Sequence, residues 1–151
     1  MDVRSLEAVF RQEHSRLWRS LFAYTGDRDL ASDAVAETFA QALGRGDLLV
    51  DPAAWVWRSA FGVAGGLMQK RERIVLVAEL PDIEFHEGPV VEILSILDTL
   101  SPQQRAVIAL RYVGELDIGQ ISETLGTTAG TVRVQLHRAH ASLRISLEDE
   151  T

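Results

Sequence analysis

The chain has 151 residues, with 15 Lys and Arg against 22 Asp and Glu, a formal charge of −7 and no cysteine. That length fits one domain or two small ones, and the lack of cysteine excludes disulfides, thiolate zinc sites and a cysteine nucleophile. No apolar run approaches the ~18 residues of a membrane span, and the opening MDVRSLEAVFRQEH has no signal-peptide core, so the expected location is cytoplasmic.

Helical periodicity dominates from the start. Leu6, Val9 and Phe10, Leu17, Leu21 and Tyr24 recur every three to four residues and predict one amphipathic helix over 4–24. Gly26 ends it. Asp27 or Asp29 can cap a second helix with Leu30, Ala34, Val35, Thr38, Phe39 and Ala42 as its apolar stripe. Gly44-Arg45-Gly46 breaks that helix. Asp51-Pro52 then gives a capping carboxylate followed by proline at the first helical position. Trp55, Phe61, Val63 and Met68 mark the third helix, which Gly62, Gly65 and Gly66 weaken by roughly 1 kcal/mol each. Pro81, Gly88 and Pro89 punctuate a linker over 74–90, although IVLVAEL could be a short packed segment.

A second helical unit follows over 91–147. Ser101-Pro102-Gln103-Gln104 reads as a capping box with proline at the first position, so a helix is expected over 102–112. Gly114 ends it. Asp117 with Gln120 gives a similar start for a helix that buries Ile118, Ile121 and Leu125, and Gly126 turns the chain. Thr127 or Thr128 caps a last helix, with Val132, Leu136, Ala139, Leu143 and Leu147 on its inner side. No strand and no internal repeat is predicted. The fold class is therefore all-α.

The acidic total, taken whole, argues against a nucleic-acid partner. Resolved by position, it does not. Residues 55–73 carry +3 and residues 101–147 carry +2, while 74–100 carry −6 and the tail 148–151 carries −3. Two basic segments thus flank an acidic connector, and such asymmetry is informative where the total is not.

The segment 117–140, DIGQISETLGTTAGTVRVQLHRAH, has the layout of a helix-turn-helix. If Val132, Leu136 and Ala139 face the core, then Thr127, Gly130, Thr131, Val134, His137 and Arg138 face away, with Arg133 on the flank. Small and hydroxylated residues at a helix start can approach a phosphate backbone closely. Arginine can bond phosphates or guanine edges. No acid lies between residues 124 and 147. An exposed helical hairpin with no DNA role has the same pattern.

Residues 97–144 closely resemble region 4 of bacterial RNA polymerase sigma factors of the extracytoplasmic-function (ECF) group, in the sigma-70 family. The resemblance rests on Leu100-Ser101-Pro102, Leu110-Arg111-Tyr112, Ile121 with Leu125-Gly126, Gly130-Thr131-Val132 and Leu136-His137-Arg138-Ala139. The first half is similar to region 2 of that group, through Asp33-Ala34-Val35 with Glu37 and Phe39, then Asp51-Pro52 with Ala54-Trp55-Val56-Trp57-Arg58 and Ala60.

The resemblance implies a sigma factor that binds core RNA polymerase and directs promoter recognition and initiation. Its organisation would be a region 2-like domain over 1–73, an acidic linker over 74–90 near the RNA path, a region 4-like domain over 91–147 and an acidic tail. Thr128, Thr131, Arg133, Val134, His137 and Arg138 would face the minus-35 duplex. Arg45, Asp47 and Arg58 would lie near the melted minus-10 strand, and Asp33 and Glu37 would face the polymerase. The partners implied are core RNA polymerase, promoter DNA and, in some members, an anti-sigma factor. No cofactor, metal or small-molecule substrate is implied.

The chain departs from the family at Ala36, Leu43, Gly46, Ser59-Ala60-Phe61-Gly62, Gly66, Gln135 and His140. The region 2 departures fall on the surface that would melt the minus-10 element, which points to an atypical promoter or an assisting partner. Two other readings use the same residues. One is a sigma-like interaction protein that binds polymerase or a regulator without initiating. The other is a stand-alone helix-turn-helix regulator. An enzyme is disfavoured, because the four histidines are scattered and no HExxH, phosphate loop or nucleophile motif occurs.

Overall fold

Helix α1 spans Val3–Thr25, α2 Arg28–Arg45 and α3 Pro52–Val75. The second unit comprises α4 Pro89–Asp98, α5 Pro102–Ile108, α6 Ile118–Leu125 and α7 Ala129–Asp149, with a π-helical turn over Ala109–Val113 after α5. The computed structural model describes residues 3–45, 50–75 and 89–149. Among these residues there is no strand, and no helix is long and apolar enough to cross a membrane.

The helix starts follow local chemistry. Asp27 rather than Asp29 caps α2, its Oδ1 accepting from the N–H groups of Asp29 and Leu30 at 2.8 and 3.0 Å. Asp51 Oδ1 accepts from Ala54 N at 3.1 Å at the start of α3. Both capping boxes form, Ser101 with Gln104 and Asp117 with Gln120. Each box satisfies two of the N–H groups that a helix start leaves unpaired.

The third helix starts at Pro52, as the sequence predicts, and the structure adds two details. It runs unbroken through Gly62, Gly65 and Gly66 to Val75. Its buried stripe is Val56, Trp57, Ala60, Phe61 and Ala64, whereas Trp55, Val63 and Met68 are only partly covered. Trp57 is nearly fully buried; its Nε1 donates to Glu13 Oε2 of α1 at 3.1 Å. An indole N–H needs such a partner when it is buried. Packing against α1 and α2 outweighs the three glycines, since tertiary burial supplies most helical stability in proteins.

The expected helix over 102–112 is also modified. It is α-helical to Ile108 and then widens into the π turn. The turn ends at Gly114, and the next residue, Glu115, takes φ 56°. That left-handed conformation is uncommon for a residue with a side chain.

The two units pack directly on each other. One cluster joins Leu17, Leu21, Val56, Trp57 and Phe61 of the first unit to Val107, Leu110, Leu116, Ile121 and Val132 of the second. A smaller cluster of Leu100, Ile108 and Ala139 lies within the second unit. Gly114 sits where they meet. A Cβ added there would stand 2.9 Å from Leu110 O, 3.1 Å from the Trp57 ring and 3.2 Å from Ser20 Oγ. Glycine lets the backbone of the second unit touch both α1 and α3. Gly114→Ala is expected to lower stability by about 1–3 kcal/mol through overpacking. Gly62→Ala, with no atom near the added Cβ, is expected to raise it by up to about 1 kcal/mol. Chemical denaturation of the two variants checks both signs.

Arg105 pins the same junction. Its Nε donates to Tyr24 O at 2.6 Å and its Nη1 to Leu100 O at 3.2 Å. Burial pushes the Tyr24 hydroxyl above its ordinary pKa, and the nearby Arg105 charge offsets part of that rise.

Candidate nucleic-acid interface

The turn between α6 and α7 is built by Gly126, at φ 64° and ψ 39°. Gly126 N and Thr127 N return to the carbonyls of Glu123 and Ser122 at 3.3 and 2.9 Å, which closes the end of α6. Thr128 rather than Thr127 then caps α7. Its Oγ1 accepts from Thr131 N at 3.1 Å and donates to Thr131 Oγ1 at 2.9 Å. Ile121 and Val132, both 0% exposed, lock the two helices together.

This arrangement turns the predicted side chains outward. Thr128, Thr131, Arg133, Val134, His137 and Arg138 are all exposed, while Val132 and Ala139 are buried and Leu136 is half-buried. Thr127 and Gly130 share the outer face. Three arginines, Arg133, Arg138 and Arg144, project from this helix with no acid until Glu148. The outer face is therefore cationic, with small residues near its N-terminal end. Gln135 is held aside, its Nε2 donating to Gln103 Oε1 of α5 at 3.3 Å.

The first unit brings a second set of predicted residues to the same side of the molecule. Arg58 of α3 is exposed. It lines a cleft of about 490 Å³ with Asp51, Ala54 and Trp55, whose opposite wall is Ser122, Glu123, Gly126 and Thr127. Arg45 lies over the Trp55 ring at 5.5 Å, a cation–π contact. Asp47 lies outside the described residues. Asp33 and Glu37 are exposed one turn apart on α2 and do not line that cleft, and Glu37 accepts from Gln41 Nε2 at 3.2 Å.

Sequence reasoning missed two surface features. Trp55 is predicted on α3 and within the region 2 motif but with no site role, yet it borders the cleft beside Arg58. The second is a cavity of about 500 Å³ along the flank of α7. Arg111, Tyr112, His137, His140 and Arg144 line it, and Tyr112 Oη lies 2.7 Å from His140 Nε2. Tyr112 lies within the π turn and is exposed, and its contact with His140 is one that helical periodicity does not foretell. Among the described residues, no group of three His, Asp or Glu side chains stands close enough to hold a metal ion.

Residues 91–143, most of the second unit, match the family model for sigma-70 region 4. The RNA polymerase sigma-E factor of Streptomyces avermitilis is 28% identical, over 97% of this chain and 87% of that protein. The ECF RNA polymerase sigma factor SigL of Mycobacterium tuberculosis is 27% identical, over 95% of this chain and 89% of that one. Over nearly its whole length the chain is similar to RNA polymerase sigma factors, and residues 91–143 match sigma-70 region 4. Its fold agrees with that of the sigma factor RpoE of Bartonella quintana, solved in complex with the anti-sigma factor NepR. The TM-score is 0.80 and the identity 19%, covering 97% of this chain and 98% of the other.

Proposed function

We propose that this chain is an ECF sigma factor that binds core RNA polymerase and directs it to promoters, with α7 reading the minus-35 duplex. The observation that carries the proposal is the outer face of α7. It is held rigidly by Val132 and a threonine cap, it is cationic, and it is free of acids. In helix-turn-helix proteins the second helix enters the major groove with its N-terminal residues at the base edges. Thr131 and Arg138, both exposed on this face, would make base or phosphate contacts, with Arg133 on the flank. Thr128 contributes through the cap, since its hydroxyl is already engaged with Thr131.

The first unit fits the region 2 role. Arg45, Arg58 and Trp55 offer charge and an aromatic face to an unpaired strand, and stacking on an aromatic ring is a sequence-tolerant way to hold single-stranded bases. Asp33 and Glu37 supply an acidic face for the polymerase. Residues 1–73 and 91–147 would act as the two promoter-binding units, with 74–90 between them as an acidic connector. An anti-sigma factor is a fitting regulator, because the B. quintana protein of the same fold was solved with one. No catalytic role is assigned to any residue.

Arg138→Ala tests the central contact. If Arg138 reads a base, promoter affinity of the holoenzyme falls by about 1–3 kcal/mol. If it meets a phosphate, the loss is spread over all sequences and the salt dependence weakens by about one ion. Unchanged affinity and unchanged salt dependence would remove Arg138 from the interface.

A further inference from the structure

The outer face of α7 contains one residue that does not belong there on grounds of polarity. Val134 is 47% exposed, in the middle of a surface otherwise made of hydroxyls, cations and small residues. At about 100° per residue it lies roughly 160° from both Val132 and Leu136, so it points directly away from the core. Thr131 and Arg138, one turn before and one turn after, flank it on one side, and His137 flanks it on the other. All three are exposed.

The position one turn toward the N-terminus is Gly130, which leaves the valine methyls uncovered. Helical side chains lean toward the N-terminus, so Val134 projects over the Gly130 backbone, where no side chain competes for the space. A Cβ at Gly130 would meet only Thr128 Oγ1, at 3.9 Å. Val134 also lies in the second turn of the helix, the part that reaches base edges in a helix-turn-helix. The other large exposed apolar residue of α7, Ile145, lies about 16 Å further along the axis and outside that part.

A valine can neither donate nor accept a hydrogen bond. Of the groups displayed in a major groove, the one that gains from apolar contact is the C5-methyl of thymine. We propose that Val134 is a specificity-determining residue of this sigma factor and reads the methyl group of a thymine in the upstream promoter element. Thr131, His137 and Arg138 supply the polar contacts around it. The proposal rests on the minus-35 reading of α7 and adds the chemical group that is read.

Deoxyuridine keeps the pairing edge of thymine and lacks only the methyl, so it isolates this contact. Duplexes selected from a randomised library by the holoenzyme serve as probes. Each thymine of the selected upstream element is replaced in turn by deoxyuridine, and binding is measured with the wild-type factor and with Val134→Ala. In the wild type, deoxyuridine at one position is expected to weaken binding about fourfold, the worth of one buried methyl. With Val134→Ala, the thymine and deoxyuridine duplexes are expected to bind alike at that position. Deoxyuridine tolerated at every thymine would overturn the proposal. So would a penalty as large in the variant as in the wild type. Selection of no upstream element at all would overturn the minus-35 reading along with it.

Discussion

Val132→Asp is expected to unfold the helix-turn-helix, while Val134→Asp, two residues along the same helix, leaves it folded. Val132 is fully buried in the shared core, and among the described residues no cation lines the cavity beside it to pair with a carboxylate. A charge left unpaired in such a site costs about 3–5 kcal/mol. Small domains are stable by only about 5–15 kcal/mol in total, so this one change removes a large share. Val134 faces solvent, and a carboxylate there stays hydrated. Thermal melts followed by circular dichroism should separate the two variants clearly, with Val132→Asp melting far lower. Both should lose promoter binding, the first by unfolding and the second by placing a negative charge against phosphate. Equal melting temperatures for the two would contradict the placement of α7 against the core.

Arg105→Ala is the second large effect. Arg105 is nearly enclosed and has two carbonyl acceptors from different elements, Tyr24 O at the end of α1 and Leu100 O before α5. Its ion pair with Asp98 is long, at 4.0 Å, and Asp98 is almost fully exposed, so that contact adds little. Removing the guanidinium leaves both carbonyls without their donor. With charged hydrogen bonds worth about 1.5–3 kcal/mol each, losing the two gives an expected loss of about 3–6 kcal/mol. Arg105→Lys should recover only part of it, because an ammonium lacks the fork that spans two acceptors. Urea denaturation reads the effect as a lower midpoint. A midpoint unchanged in Arg105→Ala would show that the junction of the two units does not depend on this residue.

Much of the second unit is legible in the sequence, because its signals are local. Ser101 with Gln104 and Asp117 with Gln120 form their capping boxes from residues three apart, and Gly126 takes the left-handed conformation that its place in the turn demands. The outward face of α7 follows from the spacing of Val132, Leu136 and Ala139 alone. The features that escaped depend on partners far along the chain. Trp57 is buried because Glu13, 44 residues earlier, accepts from its indole nitrogen. Arg105 counts as a surface charge until Tyr24 O, 81 residues away, is brought to it. Gly114 reads as a helix stop, yet its lack of a side chain matters for the approach of Trp57 and Ser20. The π turn, which carries Tyr112, leaves no mark in the apolar period. In the first unit, the sequence marked Arg58 but not its setting. The cleft it shares with Trp55 and the turn of the helix-turn-helix exists only because the two units pack together.

The central claim is that this chain, joined to core RNA polymerase, starts transcription at defined promoters. Run-off transcription with purified core enzyme, the full chain and a template carrying a holoenzyme-selected promoter tests it most directly. The account predicts a discrete transcript that requires the chain and that Arg138→Ala reduces. A chain that binds the core enzyme yet yields no transcript from any selected template would contradict it, and would make the protein a polymerase-binding competitor instead.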